Sequence, residues 1–193
     1  LFFIIISSAV QANNIKNSAV VFMYHKFGIS KYPTTNITLD QFDKHLDEFS
    51  KPEYNVMALD YILDTIINDG NLPNNTIGIS VDDADRSFLT AAWPKFKEKG
   101  FPVTLFVNTS TIVENNKNYL NWDEINQLKA EGVQIGAHSH THEHLANYTL
   151  EELRKEIEKS NKIFLKEIGE IPDLFAYPYG ETDEKIFELL KKY

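Results

Sequence analysis

The sequence contains no cysteine. Disulfides, thiolate metal sites and cysteine nucleophiles are thereby excluded, so any bound metal must be held by nitrogen and oxygen. Basic residues are also scarce. Nineteen Lys and Arg stand against 28 Asp and Glu, a formal net charge of −9 at pH 7. Nucleic acids are bound through basic faces, so this balance argues against a nucleic-acid partner and equally against an anionic membrane surface. No stretch reaches the roughly 20 apolar residues of a membrane-spanning helix. Low-complexity tracts and internal repeats are missing too.

Residues 1–6 are apolar and are followed by Ser7, Ser8, Ala9, Val10, Gln11 and Ala12. An apolar run closed by small residues, with Val10 and Ala12 at the −3 and −1 positions, resembles the end of a secretory signal peptide, the alternative being a buried first strand from Phe2 to Ile6. Residues 1–12 are therefore read as the remnant of such a peptide, which implies a secreted or periplasmic protein. Residues 13–193 form one domain of a size that buries a real core.

Short apolar runs alternate with helical patterns. The runs are residues 19–24, 56–59, 77–81, 103–107, 133–137 and 174–177, rich in Val, Ile and Phe as strands buried on both faces should be. Between them, Thr38 with Gln41 and Thr149 with Glu152 are capping boxes that open helices, the second running to about Ile168. Helices over residues 91–99 and 124–131 stop at Gly100 and Gly132, and a last one covers 183–192. About six strand–helix units imply an α/β fold with a parallel sheet or an incomplete β/α barrel, short of the eight units of a closed one. The pattern is still helical at Tyr193, so a domain truncated at its C-terminus is expected.

Function in such folds concentrates where strands end. Three strand ends carry unusual polar residues. Asp82 and Asp83 follow the run 77–81. Adjacent carboxylates there are costly unless a cation or strong hydrogen bonds hold them. His138, His140, His142 and His144 follow the run 133–137. His138 and His142 have a spacing that converges on a metal, and so do His140 and His144; spacing alone does not choose between the pairs. Tyr177-Pro178-Tyr179-Gly180 forces a turn that can aim a backbone N–H into a pocket. One carboxylate, two imidazoles and a second carboxylate as base form the layout of a metal-assisted hydrolase, with Zn²⁺ or another divalent transition metal as cofactor.

Asp82-Asp83, then His138-Ser139-x-x-His142, then Tyr177-Pro178-Tyr179-Gly180, in this order, resemble the polysaccharide deacetylases (carbohydrate esterase family 4, the NodB-homology domain). Met23-Tyr24-His25-Lys26-Phe27, the segment 101–107 and Asn121-Trp122-Asp123-Glu124 fit as well, and the likeness is to the poly-N-acetylglucosamine branch. The resemblance implies an incomplete barrel and removal of N-acetyl groups from a polysaccharide, with release of acetate. It implies Asp82 as general base, Asp83, His138 and His142 as metal ligands, and the Tyr179 backbone N–H as an oxyanion donor. His25, Pro178 and Trp122 are expected to line the substrate site. For His25 a structural hydrogen bond is the alternative, and for Trp122 core packing. His140 and His144 are left to the loop, and His45 to a surface helix without a role. Two rival readings remain: a small-molecule C–N hydrolase of the same fold, and a non-catalytic carbohydrate- or zinc-binding domain. Asp82 argues against the last, because holding a metal does not require a second carboxylate.

The sequence also departs from the family pattern. Ala84 stands where Gly is usual, so a turn with positive φ there would be strained. Ala176 stands where many members have Arg, and the histidine that the resemblance leads one to expect near the domain's C-terminal end, as the acid protonating the leaving amine, has no counterpart in residues 1–193.

Overall fold

The computed structural model describes residues 18–113 and 116–193. The signal-peptide reading of residues 1–12 lies outside the described residues. A parallel sheet forms the centre. Strand β1 (Ala19–Tyr24) is followed by two short strands, β2 (Lys26–Phe27) and β3 (Asn36–Ile37), which pair only with each other. Next come α1 (Leu39–Phe49), β4 (Asn55–Val56), α2 (Leu59–Ile67) and β5 (Thr76–Asp82). A π-helical turn, Phe88–Ala92, leads into α3 (Trp93–Lys99). The chain continues through β6 (Thr104–Val107), α4 (Thr109–Val113), α5 (Trp122–Ala130) and β7 (Gln134–Ala137). It closes with α6 (Leu150–Ile168) and α7 (Glu184–Leu190).

All seven residues of β5 are buried. One edge of β5 pairs with β1 from Thr76 to Val81; the other edge is shared, β4 taking Thr76 and Ile77 and β6 taking Ser80 to Asp82. β7 extends the sheet beyond β6. Every pairing is parallel, so all strand ends that carry chemistry lie on one rim.

The helices form where local chemistry dictates. Both predicted capping boxes are present, Thr38 with Gln41 and Thr149 with Glu152, and Asn121 with Glu124 adds a third. Gly100 ends α3 at φ 67°, a left-handed conformation that glycine adopts without steric penalty. Phe42, Leu46 and Phe49 on α1 pack against the sheet. His45, expected to be idle on a surface, instead accepts or donates a 2.7 Å hydrogen bond with the Tyr24 hydroxyl and touches the rings of Phe22 and Phe49. Burial pushes the Tyr24 hydroxyl above its usual pKa range, so it stays protonated at any ordinary pH.

Two strand expectations are corrected. The run 56–59 does not continue as strand, because Leu59 begins α2; Leu59 and Ile62 bury one face of that helix. The run 174–177 makes no ladder. It attaches to the end of β7 by a single bridge, Ala137 with Phe175, through two backbone bonds of 2.8 and 2.9 Å. Pro172 and Pro178 flank it, and proline withholds the N–H a longer ladder requires.

Candidate metal centre

Strand register sets the site. Phe106 on β6 pairs with Asp82 on one side and Gly136 on the other, so Asp82 and Gly136 are level across the sheet. Asp83 then lies one residue past that level, and His138 two. His138 N still donates to the Val107 carbonyl at 3.0 Å, which ties the first histidine to the strand rather than to a free loop.

Beyond these points the backbone turns sharply. Asp83 and Ala84 have φ of 71° and 55°, and Ser139, His142 and Tyr179 have 64°, 59° and 59°. The strain expected at Ala84 is therefore present. Left-handed conformations cost non-glycine residues on the order of 1 kcal/mol each, and their clustering on one rim marks a functional site.

The turns bring Asp83, His138 and His142 together, with one ligand atom of each lying within 4.8 Å of the others. Asp83 Oδ1 is 3.8 Å from His138 Nε2 and 3.5 Å from His142 Nε2. The two Nε2 atoms are 3.0 Å apart. His138 donates its Nδ1–H to the Ala176 carbonyl at 2.8 Å, and this leaves Nε2 as a bare lone pair directed at the centre. Asp83 Oδ1 is buried and has no hydrogen-bond partner. Lone pairs of two imidazoles and an unpartnered carboxylate oxygen around one point fit a divalent cation, and hard or borderline ions accept such a donor set. Burial lowers the pKa of His138, which keeps it neutral as a metal ligand must be.

Asp82 stands beside this group. It is buried, and its Oδ1 also lacks a partner. Burial first, and then the charge of Asp83, push its carboxyl up to about 7. His25 Nε2 is 4.0 Å from Asp82 Oδ2, so His25 faces the site; burial lowers its pKa.

Tyr179 occupies the left-handed position of a 3₁₀ turn, Pro178–Gly180. Its side chain is half exposed and lies between two histidines. The His142 ring meets it edge-on at 4.8 Å, and His144 stacks on it at 4.0 Å with 13° between planes. His144 Nδ1 is 2.9 Å from Glu181 Oε2. Pro178 is buried at the base of this turn. Trp122 is not brought to the triad. Its ring packs edge-on against Phe164 of α6, which is the core role weighed for it.

The histidine run resolves by burial. His140 is buried and hydrogen-bonded through Nδ1 to Thr109 Oγ1 at 2.8 Å, so it is a structural residue rather than an idle loop one. The residue that sequence reasoning missed is Glu156 on α6. One of its oxygens accepts His140 N, Thr141 N and Thr141 Oγ1 at 2.9, 2.5 and 2.8 Å. Its signal was visible: Leu153, Glu156, Ile157, Ser160, Asn161 and Phe164 share the buried face of α6, and a carboxylate on an apolar face needs donors.

The family model described as polysaccharide deacetylase matches residues 69–193. A poly-β-1,6-N-acetyl-D-glucosamine N-deacetylase of Staphylococcus aureus (strain MRSA252) is 23% identical over 195 residues, covering 95% of this chain and 66% of the relative. The chain thus spans slightly less than two thirds of that relative's length. The solved structure of the Streptococcus pyogenes deacetylase PplD in complex with acetate superposes with a TM-score of 0.82 at 17% identity, over 92% of this chain and 80% of that one. IcaB from Ammonifex degensii gives 0.81 at 20% identity, over 90% and 79%. At such identities the two structures establish a shared fold, an open α/β barrel built on a parallel sheet.

Proposed function

This chain belongs to the polysaccharide deacetylase family, and from that premise we propose that it hydrolyses N-acetyl groups of an extracytoplasmic polysaccharide, with N-acetylglucosamine units as the substrate. The observation that carries the reading is the pairing of an unpartnered, buried Asp82 with the Asp83–His138–His142 cluster. A site that only held a cation would have no use for the second carboxylate.

Asp83, His138 and His142 would hold a divalent ion, zinc by the chemistry of the donors. Such an ion, when bound, supplies Lewis acidity toward the acetamide carbonyl and its attacking water. Asp82 takes the proton from that water; a pKa near neutrality suits it to accept a proton and give it up again. The Ala176 carbonyl holds the His138 ring in the tautomer that offers Nε2. The Tyr179 backbone N–H, at a left-handed turn beside His142, is the assigned donor to the developing oxyanion. His25, facing Asp82, and Pro178, at the base of the Tyr179 turn, line the substrate side. The C–N bond breaks as the departing nitrogen takes up the proton that Asp82 removed from the water, and acetate and a free amine result. The apolar and small residues of 1–12 support a location outside the cytoplasm. Among the described residues no helix is long and apolar enough to cross a membrane.

The test is acetate release from N-acetylglucosamine oligomers by the zinc-loaded chain, beside a calorimetric zinc titration. One zinc site with acetate release supports the reading. One zinc site without release, on a folded sample, moves the chain to the non-catalytic class.

A further inference from the structure

Lysine is unevenly neutralised in this protein. Ten lysines have a carboxylate within 4.0 Å. Among the described residues six have none, and three of these, Lys26, Lys31 and Lys117, gather around one groove of about 620 Å³. In a chain with net charge −9, three ammonium groups without a carboxylate partner, around a cavity whose lining holds the single carboxylate Asp85, make a local field opposite in sign to the whole. The remaining cation there, Arg86, is spent on structure: it donates to the Lys117 and Tyr119 carbonyls at 2.8 Å and pairs with Glu124.

The groove adjoins the site just described. One wall starts at Lys26, the neighbour of His25, and the other at Asp85, two residues past Asp83. Its walls carry two tyrosines. Tyr32 has Lys26 Nζ and Lys31 Nζ at 5.2 and 5.3 Å from its ring centroid, and Tyr119 is bridged to Asp85. Aromatic faces receive the apolar faces of sugar rings, and a volume of this order accommodates a ligand of drug size, comparable to a short oligosaccharide.

Resting on the deacetylase reading, we propose that this groove binds the sugar units flanking the reacting one, and that those units carry an acidic substituent, a carboxylate or phosphate, which Lys26, Lys31 and Lys117 receive. The substrate is then an anionic glycan rather than a neutral one. Three ammonium groups gathered at one groove beside the site favour an acidic ligand over a neutral one, and a chain already converted to free amines is repelled by them.

The test is calorimetric binding to the full chain, zinc-loaded and carrying Asp82→Asn to prevent turnover. The probes are a neutral N-acetylglucosamine tetramer and a tetramer alternating N-acetylglucosamine with N-acetylmuramic acid, which bears carboxylates. The acidic tetramer is expected to bind about tenfold more tightly at low salt, the combined effect of three exposed charges, and the advantage shrinks at high salt. Adding Lys26→Gln, Lys31→Gln and Lys117→Gln together removes the advantage. The same charge change made at Lys159, Lys162 and Lys192, which also lack carboxylate partners, retains it. Equal affinity or no measurable affinity for the two tetramers overturns the proposal, as does an advantage lost equally in both triple variants. Inorganic phosphate binding as tightly as the acidic tetramer overturns the glycan as occupant. Acetate release by the wild-type chain is read separately, so its failure would remove the deacetylase reading while the binding preference is judged on its own.

Discussion

Glu156 grips Thr141 twice through one carboxylate oxygen, by the backbone N–H at 2.5 Å and by the hydroxyl at 2.8 Å. The same oxygen takes His140 N, so α6 fixes the backbone directly before His142. Glu156→Ala leaves these donors unpaired in a buried place and should lower stability by about 2–4 kcal/mol, measured by urea unfolding. Glu156→Gln keeps one acceptor and should lose less. In both variants zinc affinity should fall further than at a surface site, because the loop that aims His142 is released.

Asp82 makes the metal-free protein sensitive to pH in an unusual direction. Its folded pKa, about 7, lies above that of an unfolded aspartate, so the folded state binds the proton more tightly. The contribution is fully present below the unfolded value of about 4 and is lost as pH rises through about 7. Asp82→Asn should therefore raise the Tm of the metal-free chain by several degrees at pH 8 and by little at pH 4. The same variant should keep zinc and release no acetate. Near-normal acetate release in it would remove Asp82 from the base role.

The histidines divide by what they face. His142→Ala should abolish the calorimetric zinc site, and Asp83→Ala should do the same. His144→Ala should retain it, since His144 stacks on Tyr179 and reaches Glu181 rather than the cluster. Zinc binding lost with His144 and kept without His142 would reverse the assignment.

Gly136 sits where no side chain fits. A Cβ there would come within 2.4 Å of the Phe106 ring on the neighbouring strand. Gly136→Ala should destabilise the protein by about 1–3 kcal/mol by forcing that ring aside. Because Gly136 is level with Asp82 across β6, the variant should also weaken zinc binding; a change in stability with unaltered affinity would show that the rim is insulated from the sheet.

Much of this was legible before any coordinates. Capping boxes and buried apolar runs are local signals, and Thr38, Thr149 and the run ending at Ala137 form as their chemistry dictates. α2 escaped because Val56 to Leu59 reads as one apolar run, although Leu59, Ile62, Leu63, Ile66 and Ile67 follow helical spacing. Spacing also left two histidine pairs equal. The resemblance chose between them, and the structure supplies the physical reason, since the His140 ring turns inward to Thr109 whereas His142 turns to Asp83. The Ala176 carbonyl that orients His138 was invisible, because a backbone acceptor has no residue signature.

The shared edge of β5 has a bearing on how the chain becomes folded at all. Ala19 pairs with Thr76, more than fifty residues later, and no strand of the main sheet is joined to its partner by a hairpin. Loop closure therefore precedes every rung, and such non-local topologies fold slowly. A nascent chain has no central sheet to close until β5 has emerged, so its first strand must wait unpaired while it is synthesised. A protein with this connectivity stays threadable for longer than one built from hairpins, and it needs protection of its β1 edge during that interval.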